Sequence, residues 1–284
     1  MNDFTIHDRV ILDFSGNGGN VTVPDGFRAI GYEAFARCEG LTGITLPKSV
    51  TDIGERAFVE CKNLTYVDLP DGLEFLRNSA FNECNSLVSI NIPGSVKEIG
   101  SCAFRGCKNL SKVSLADGIE VIGLLAFLRC SALEEIFIPK SVRCVGSFAF
   151  QQCNKLSRIS VDEENEHYTV IDGSLYTKDK TKLVRYASAT NQSEVVISPN
   201  VKAIGDGAFA GCEIKKVTLP EGLVTIGADA FSYCDSLESV NIPSSVKEIM
   251  FCAFDDCPKL TVTINNNSYA ESYAKEECVS YVLG

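Results

Sequence analysis

The sequence predicts a solenoid, a stack of short coils whose strands lie parallel. Three observations carry that prediction: a motif recurring at one spacing, apolar residues alternating inside each unit, and a proline that ends each alternation. The motif is Ala-Phe-x-x-Cys, as in "AFVEC" (Ala57 to Cys61), and it starts at Ala34, Ala57, Ala80, Ala103, Ala126, Ala149, Ala208, Ala230 and Ala253. Successive copies lie 23, 23, 23, 23, 23, 59, 22 and 23 residues apart, so one supersecondary unit repeats with one long interruption.

Most units open on a leucine three residues after the cysteine, as Leu64 follows Cys61. In "LTYVDLP", Val67 and Leu69 fall on one face of a strand and Asp68 on the other, because side chains alternate along an extended backbone. Pro70 ends the strand: it offers no N–H to the ladder, and Asp71 and Gly72 favour a turn. Pro24, Pro47, Pro93, Pro139, Pro199, Pro220 and Pro243 are assigned the equivalent place. A Val-x-x-Ile-Gly return follows, as in Val96 to Gly100, and Ala, Phe and Cys then fit one side of a short helical turn. Each coil points about eight apolar side chains inward, too few to close a core alone; stacking about 4.8 Å apart joins them.

Both ends read as caps. Residues 1–20 are expected to form a hairpin, with "VILDF" and "VTVP" alternating on either side of the Gly-rich "SGNGGN". Residues 265–284 are expected to hold a helix starting at Ser268, with Glu271 three residues on completing a capping box. Repeats fill 21–161 and 195–264, and two caps make 1–284 one domain. The interruption, 162–194, alternates like strands over Tyr168 to Ile171, Ser174 to Thr177 and Lys182 to Tyr186, with turns at Asp172-Gly173 and Lys178-Asp179-Lys180. It is either a thickened rung that keeps the stack continuous or a dedicated recognition element.

"LTYVDLPDGLEFLRNSAFNEC" and "LVSINIPGSVKEIGSCAFRGC" resemble the 23-residue BspA-like, Treponema pallidum-type leucine-rich repeat, over roughly residues 21 to 264. The resemblance implies a leucine-rich-repeat solenoid, right-handed and curved, with a parallel β-sheet on its concave face and short strands and helical turns elsewhere. It also implies a secreted or cell-surface adhesion role in microbes. This chain departs from the pattern at Ala116 and Asp162, which stand where proline is expected, and at Arg77 and Met250, which replace the glycine; that site therefore does not demand positive φ in every coil.

A net charge of -11 and a pI near 4.8 exclude phosphate backbones and anionic lipid as partners, since both need Lys and Arg to displace counterions. No stretch approaches the roughly 20 apolar residues that span a bilayer, and "MNDFTIHDRVILDFSG" lacks the regions of a secretory signal. The chain is expected outside the cell or on its surface if such a signal has been removed, and in the cytoplasm otherwise.

Thirteen cysteines invite metal or redox chemistry, yet none forms Cys-x-x-Cys, and the closest pair is Cys102 and Cys107. The repeat cysteines instead stack inside apolar coils as small hydrophobes. A disulfide between coils is within Cα reach but would have to bend side chains that point in parallel. Cys102, Cys144, Cys252 and Cys278 fall outside the repeat. His7 and His167 are the only histidines, and no nucleophile or second ligand is tied to His167 by spacing despite Asp162, Glu163, Glu164 and Glu166 beside it. "SGNGGN" lacks the Lys-Ser/Thr ending of a phosphate loop. No catalytic, cofactor or metal residues are assigned.

The outward strand position reads Thr45, Asp68, Asn91, Ser114, Phe137, Ser160, Thr218 and Asn241. Phe137 is the only large apolar residue in that row. With Glu135, Arg158 and Lys112 around it, and Tyr66 two or three rungs away, it is the candidate contact for a protein or glycan. The favoured class is non-catalytic recognition by a monomer or weak oligomer. An intracellular scaffold and an enzyme with its site at the insertion are the alternatives.

Overall fold

An isolated extended segment cannot satisfy its own backbone, so each strand of a coil must bond to the coil beside it. The computed structural model, which describes residues 3–187 and 192–284, meets that requirement on three sides of the coil. The chain forms two compact units: Met1–Leu156 with Ser160–His167, and Ser157–Ile159 with Tyr168–Gly284.

In the first unit the leucine-led segments are parallel strands. Gly19–Thr22, Leu41–Thr45 and Tyr66–Asp68 make one sheet, and Ser89–Ile92 pairs with Lys112–Leu115 so that Val113 faces Ile90. Glu135–Ile138 lies beside Lys112–Leu115. The Ile-Gly returns are strands too: Ala29–Ile30, Asp52–Ile53, Phe75–Leu76, Glu98–Ile99, Val121–Ile122 and Cys144–Val145 stack in parallel. The hairpin Phe4–His7/Val10–Phe14 covers the end of that sheet. It turns at Asp8-Arg9, both at positive φ (52° and 65°), as a two-residue primed turn requires. The Gly-rich segment is therefore not the hairpin turn. It carries the chain from this sheet to Gly19–Thr22 in the other.

On the third side, the Ala-Phe-x-x-Cys turn alternates its donors. Ala57, Val59 and Cys61 donate back three residues to Gly54, Arg56 and Phe58 (3.2, 3.0 and 3.2 Å). Arg56, Phe58 and Glu60 instead donate to Asn78, Ala80 and Asn82 of the next coil (3.0, 2.8 and 2.8 Å). The alternation places two residues per turn in the left-handed region, Arg56 and Glu60 here, both at φ 58°. All nine turns share it, from Glu33 and Arg37 to Cys252 and Asp256. The glycine before the turn serves close approach instead: a Cβ on Gly54 would sit 2.7 Å from the Ile30 oxygen. Arg77 in that place still donates its N–H to Ile53, at 3.1 Å against 2.8 Å for Gly54 to Ile30.

The proline turns alternate as well. Asp-Gly turns (Gly26, Gly72, Gly118) are each followed one coil later by a serine turn (Ser49, Ser95, Ser141). Ser141 accepts from the Gly118 N–H at 2.8 Å and donates to the Ile119 carbonyl at 2.7 Å. Ser49 does the same with Gly26 and Phe27. Buried Asn165 closes the last proline turn of this unit, donating to the Pro139 and Val142 oxygens at 2.8 and 3.0 Å.

The second unit opens on the antiparallel strands Tyr168–Ile171, Ser174–Thr177 and Lys182–Arg185, and the last of these pairs in parallel with Ala203–Ile204. Tyr186 then takes the phenylalanine place: its N–H donates to Ala208 at 2.9 Å, and its ring stacks on Phe209 at 4.8 Å. The insertion thus supplies the first coil of this unit's stack; its residues 188–191 lie outside the described residues. The leucine-side strands Glu194–Val196, Lys216–Thr218, Ser239–Ile242, Thr261–Ile264 and Tyr281–Leu283 form one parallel sheet. Val201 donates to Ser198 at 3.0 Å, so Ser198 holds the proline place and Pro199 follows it by one. The helix Ser268–Glu276 is capped by Asn267, whose side chain accepts from the Ala270 N–H; Ser268 is the first helical residue, not the cap.

One coil shows the core composition. Leu64, Val67, Leu69, Leu73, Leu76, Ala80, Phe81 and Cys84 are all buried. The phenylalanines form a column, Phe58 on Phe81 at 5.0 Å and 1° and Phe81 on Phe104 at 5.5 Å and 6°, each pair worth about 0.5–1.5 kcal/mol beyond its burial.

Candidate functional site

Alternation along Glu135–Ile138 buries Ile136 and Ile138 and turns Glu135 and Phe137 outward. Phe137 is 46% exposed, while Thr45, Asp68, Asn91 and Ser114 hold its position in the preceding coils. Lys112 is exposed on the adjoining strand at the position equivalent to Glu135. Tyr66, 51% exposed, holds that same position two coils before Lys112, with its ring reaching over Gly43 opposite it. Arg158 is exposed and belongs to the second unit; the other four candidates lie on the leucine-side strand face of the first.

Phe137 also meets the start of the insertion. Together with Val161, Asp162, Glu163 and Glu164 it lines a surface depression of about 580 Å³. One wall is apolar and the other acidic. Lys140 reaches Glu164 at 2.6 Å, and that hydrogen bond holds its ammonium above the ordinary lysine value.

All thirteen cysteines are free thiols. Seven of the nine repeat cysteines are buried, and Cys38 and Cys257 are partly exposed. Burial pushes the Cys61 thiol up to about 12, and it pushes Cys84 and Cys130 well above the ordinary range. Such thiols are poor nucleophiles and poor metal ligands, because both roles need the thiolate. Among the described residues no three His, Cys, Asp or Glu side chains are placed to hold a metal ion.

A second cavity, of about 710 Å³, lies on the two-residue-strand side of the first unit, where Phe75 is 48% exposed. Asp52 faces Phe75 across the ladder and holds the Arg77 guanidinium in a bidentate pair (2.8 and 2.7 Å). The guanidinium carbon sits 5.0 Å from the Phe75 ring centre. That hydrogen bond to Asp52 raises the Arg77 pKa further. Of its residues the sequence singles out Arg77 alone, at the glycine position; the exposed aromatic beside it stands where other coils carry Ala29, Asp52, Glu98, Val121 and Cys144, a two-residue stretch with no period to flag it.

The family model for the BspA type leucine rich repeat region (6 copies) matches residues 14–127, 74–185 and 184–281. The chain belongs to the BspA-type leucine-rich repeat family. Solved structures agree with the leucine-rich-repeat solenoid. The pneumococcal vaccine antigen PcpA is 26% identical, with a TM-score of 0.80 over 94% of this chain and 81% of that one. A leucine rich cell surface protein from Faecalibacterium prausnitzii is also 26% identical, with a TM-score of 0.61 over 95% and 94%. A leucine-rich repeat protein from Eubacterium ventriosum shares the fold at 23% identity and a TM-score of 0.62, over 90% and 72%. No curated protein matches the sequence. For this BspA-type chain, the repeat architecture gives a protein-binding module as the class of function, and no described helix is long and apolar enough to cross a membrane.

Proposed function

We propose that this chain is a non-catalytic recognition module whose leucine-side face, centred on Phe137, binds a protein or glycan at a microbial cell surface. The observation that carries this is the depression where Phe137 meets Asp162, Glu163 and Glu164. Those are the two features that break the repeat on this side, an aromatic in a row of small polar residues and the acidic opening of the insertion. An exposed aromatic beside a charged rim is the composition of an interface hot spot. The surface location draws support from the cell surface protein of F. prausnitzii and from the pneumococcal antigen. A second reading, an intracellular interaction scaffold, is favoured by the thirteen free thiols.

Arrays of extracellular proteins and of glycans, probed with the whole chain and with Phe137→Ala, test the proposal. Deleting 162–194 would be a poor test, because it strips Lys182–Arg185 and Tyr186 from the second unit. Surface substitutions at Phe137, Tyr66 and Glu163 leave the stack intact.

A further inference from the structure

We propose that the cavity beside Phe75 binds a guanidinium group, the arginine side chain of an extended segment of a protein partner. Its location is separate from the Phe137 depression: the two-residue strands build it, and the leucine-side strands contribute nothing to its lining. The ring at its edge already has a planar cation against it, Arg77 at 5.0 Å, as an electron-rich face favours.

Charge decides the ligand. Asp52 occupies Arg77 through two hydrogen bonds, and the Lys97 ammonium donates to the Gly118 carbonyl at 3.2 Å. Glu55, Glu74 and Glu98 line the same cavity with no ion pair among the described residues. The cavity therefore offers carboxylates beside an exposed aromatic, in a chain whose net charge of -11 draws basic segments toward it. A guanidinium suits this combination better than an ammonium. It is planar enough to lie on the ring, more weakly hydrated, and able to bond one carboxylate through two N–H groups.

The test is an NMR titration of the full chain with three capped tripeptides, Gly-Arg-Gly, Gly-Lys-Gly and Gly-citrulline-Gly; citrulline keeps the shape of arginine without its charge. The arginine peptide is expected to shift the Phe75 and Glu98 signals and to bind about fivefold or more tightly than the citrulline peptide, with lysine weaker than arginine. Phe75→Leu, which keeps apolar volume but removes the ring, and Glu98→Gln should each weaken arginine binding about three- to tenfold. Phe137→Ala should leave it unchanged, so failure here is distinguishable from failure of the proposed function. Equal affinity for arginine and citrulline, equal affinity for arginine and lysine, or unchanged binding by folded Phe75→Leu would overturn the proposal.

Discussion

The thiol of Cys84 donates a hydrogen bond to the carbonyl oxygen of Phe58, 3.1 Å away and one coil earlier. Cys61 does the same to Phe35 at 3.0 Å, Cys107 to Phe81 at 3.1 Å and Cys130 to Phe104 at 3.2 Å. The Phe58 oxygen also accepts from the Cys61 N–H within its own turn, so the thiol uses the second lone pair. Cysteine is small enough for the column and still carries a donor, a pairing that alanine and valine lack. Cys84→Ala should therefore cost about 1–2 kcal/mol through a lost hydrogen bond and a small cavity, whereas exposed Cys144→Ala should stay within about 0.5 kcal/mol. Urea unfolding of both variants checks the difference.

The same thiols make stability fall in alkali. Cys61 is pushed up to about 12 from an ordinary 9.0 by burial, so the folded state holds its proton more tightly than the unfolded chain does. Its contribution is complete below pH 9.0 and is lost as pH rises from there toward about 12. Each such thiol removes about 1.4 kcal/mol per pH unit in that window. Urea midpoints should be flat from about pH 6 to about pH 8 and drop steeply above about pH 9, and Cys61→Ala should shallow the drop.

Leu125 tests the left-handed turn positions. Its φ is 58°, and its N–H donates to Ser147 of the next coil at 3.1 Å. A β-branched residue fits that region worst, so Leu125→Val should destabilise by about 1–2 kcal/mol, while Leu125→Gly should change stability by less than about 1 kcal/mol. Thermal melts of the two variants separate this account from one in which position 125 is an ordinary surface site.

These positions also show what a sequence can reveal. The leucine-side strands and the coil interior were legible because one residue type recurs at each buried place: Leu64, Phe81 and Cys84 have counterparts in nearly every coil. The insertion strands were legible from alternation between turn residues. The left-handed sites were not, because they hold Arg56, Glu60, Leu125, Phe148 and Asp229 alike; bonds to the next coil impose that φ, and residue preference does not. The second ladder escaped because its strands are two residues long, too short for a period to register. Of the candidate site, Phe137 was visible as an exception in its row. The Phe75 cavity needed coordinates, because only the fold brings Asp52 across from Phe75 and Arg77 over the ring.

Recognition through Phe137 is read most directly in the affinity for a partner recovered from the arrays. Binding curves for the wild type and Phe137→Ala should differ by about tenfold or more, the loss of a central aromatic anchor, with the melting temperature unchanged. Equal affinities from two equally stable proteins would contradict it.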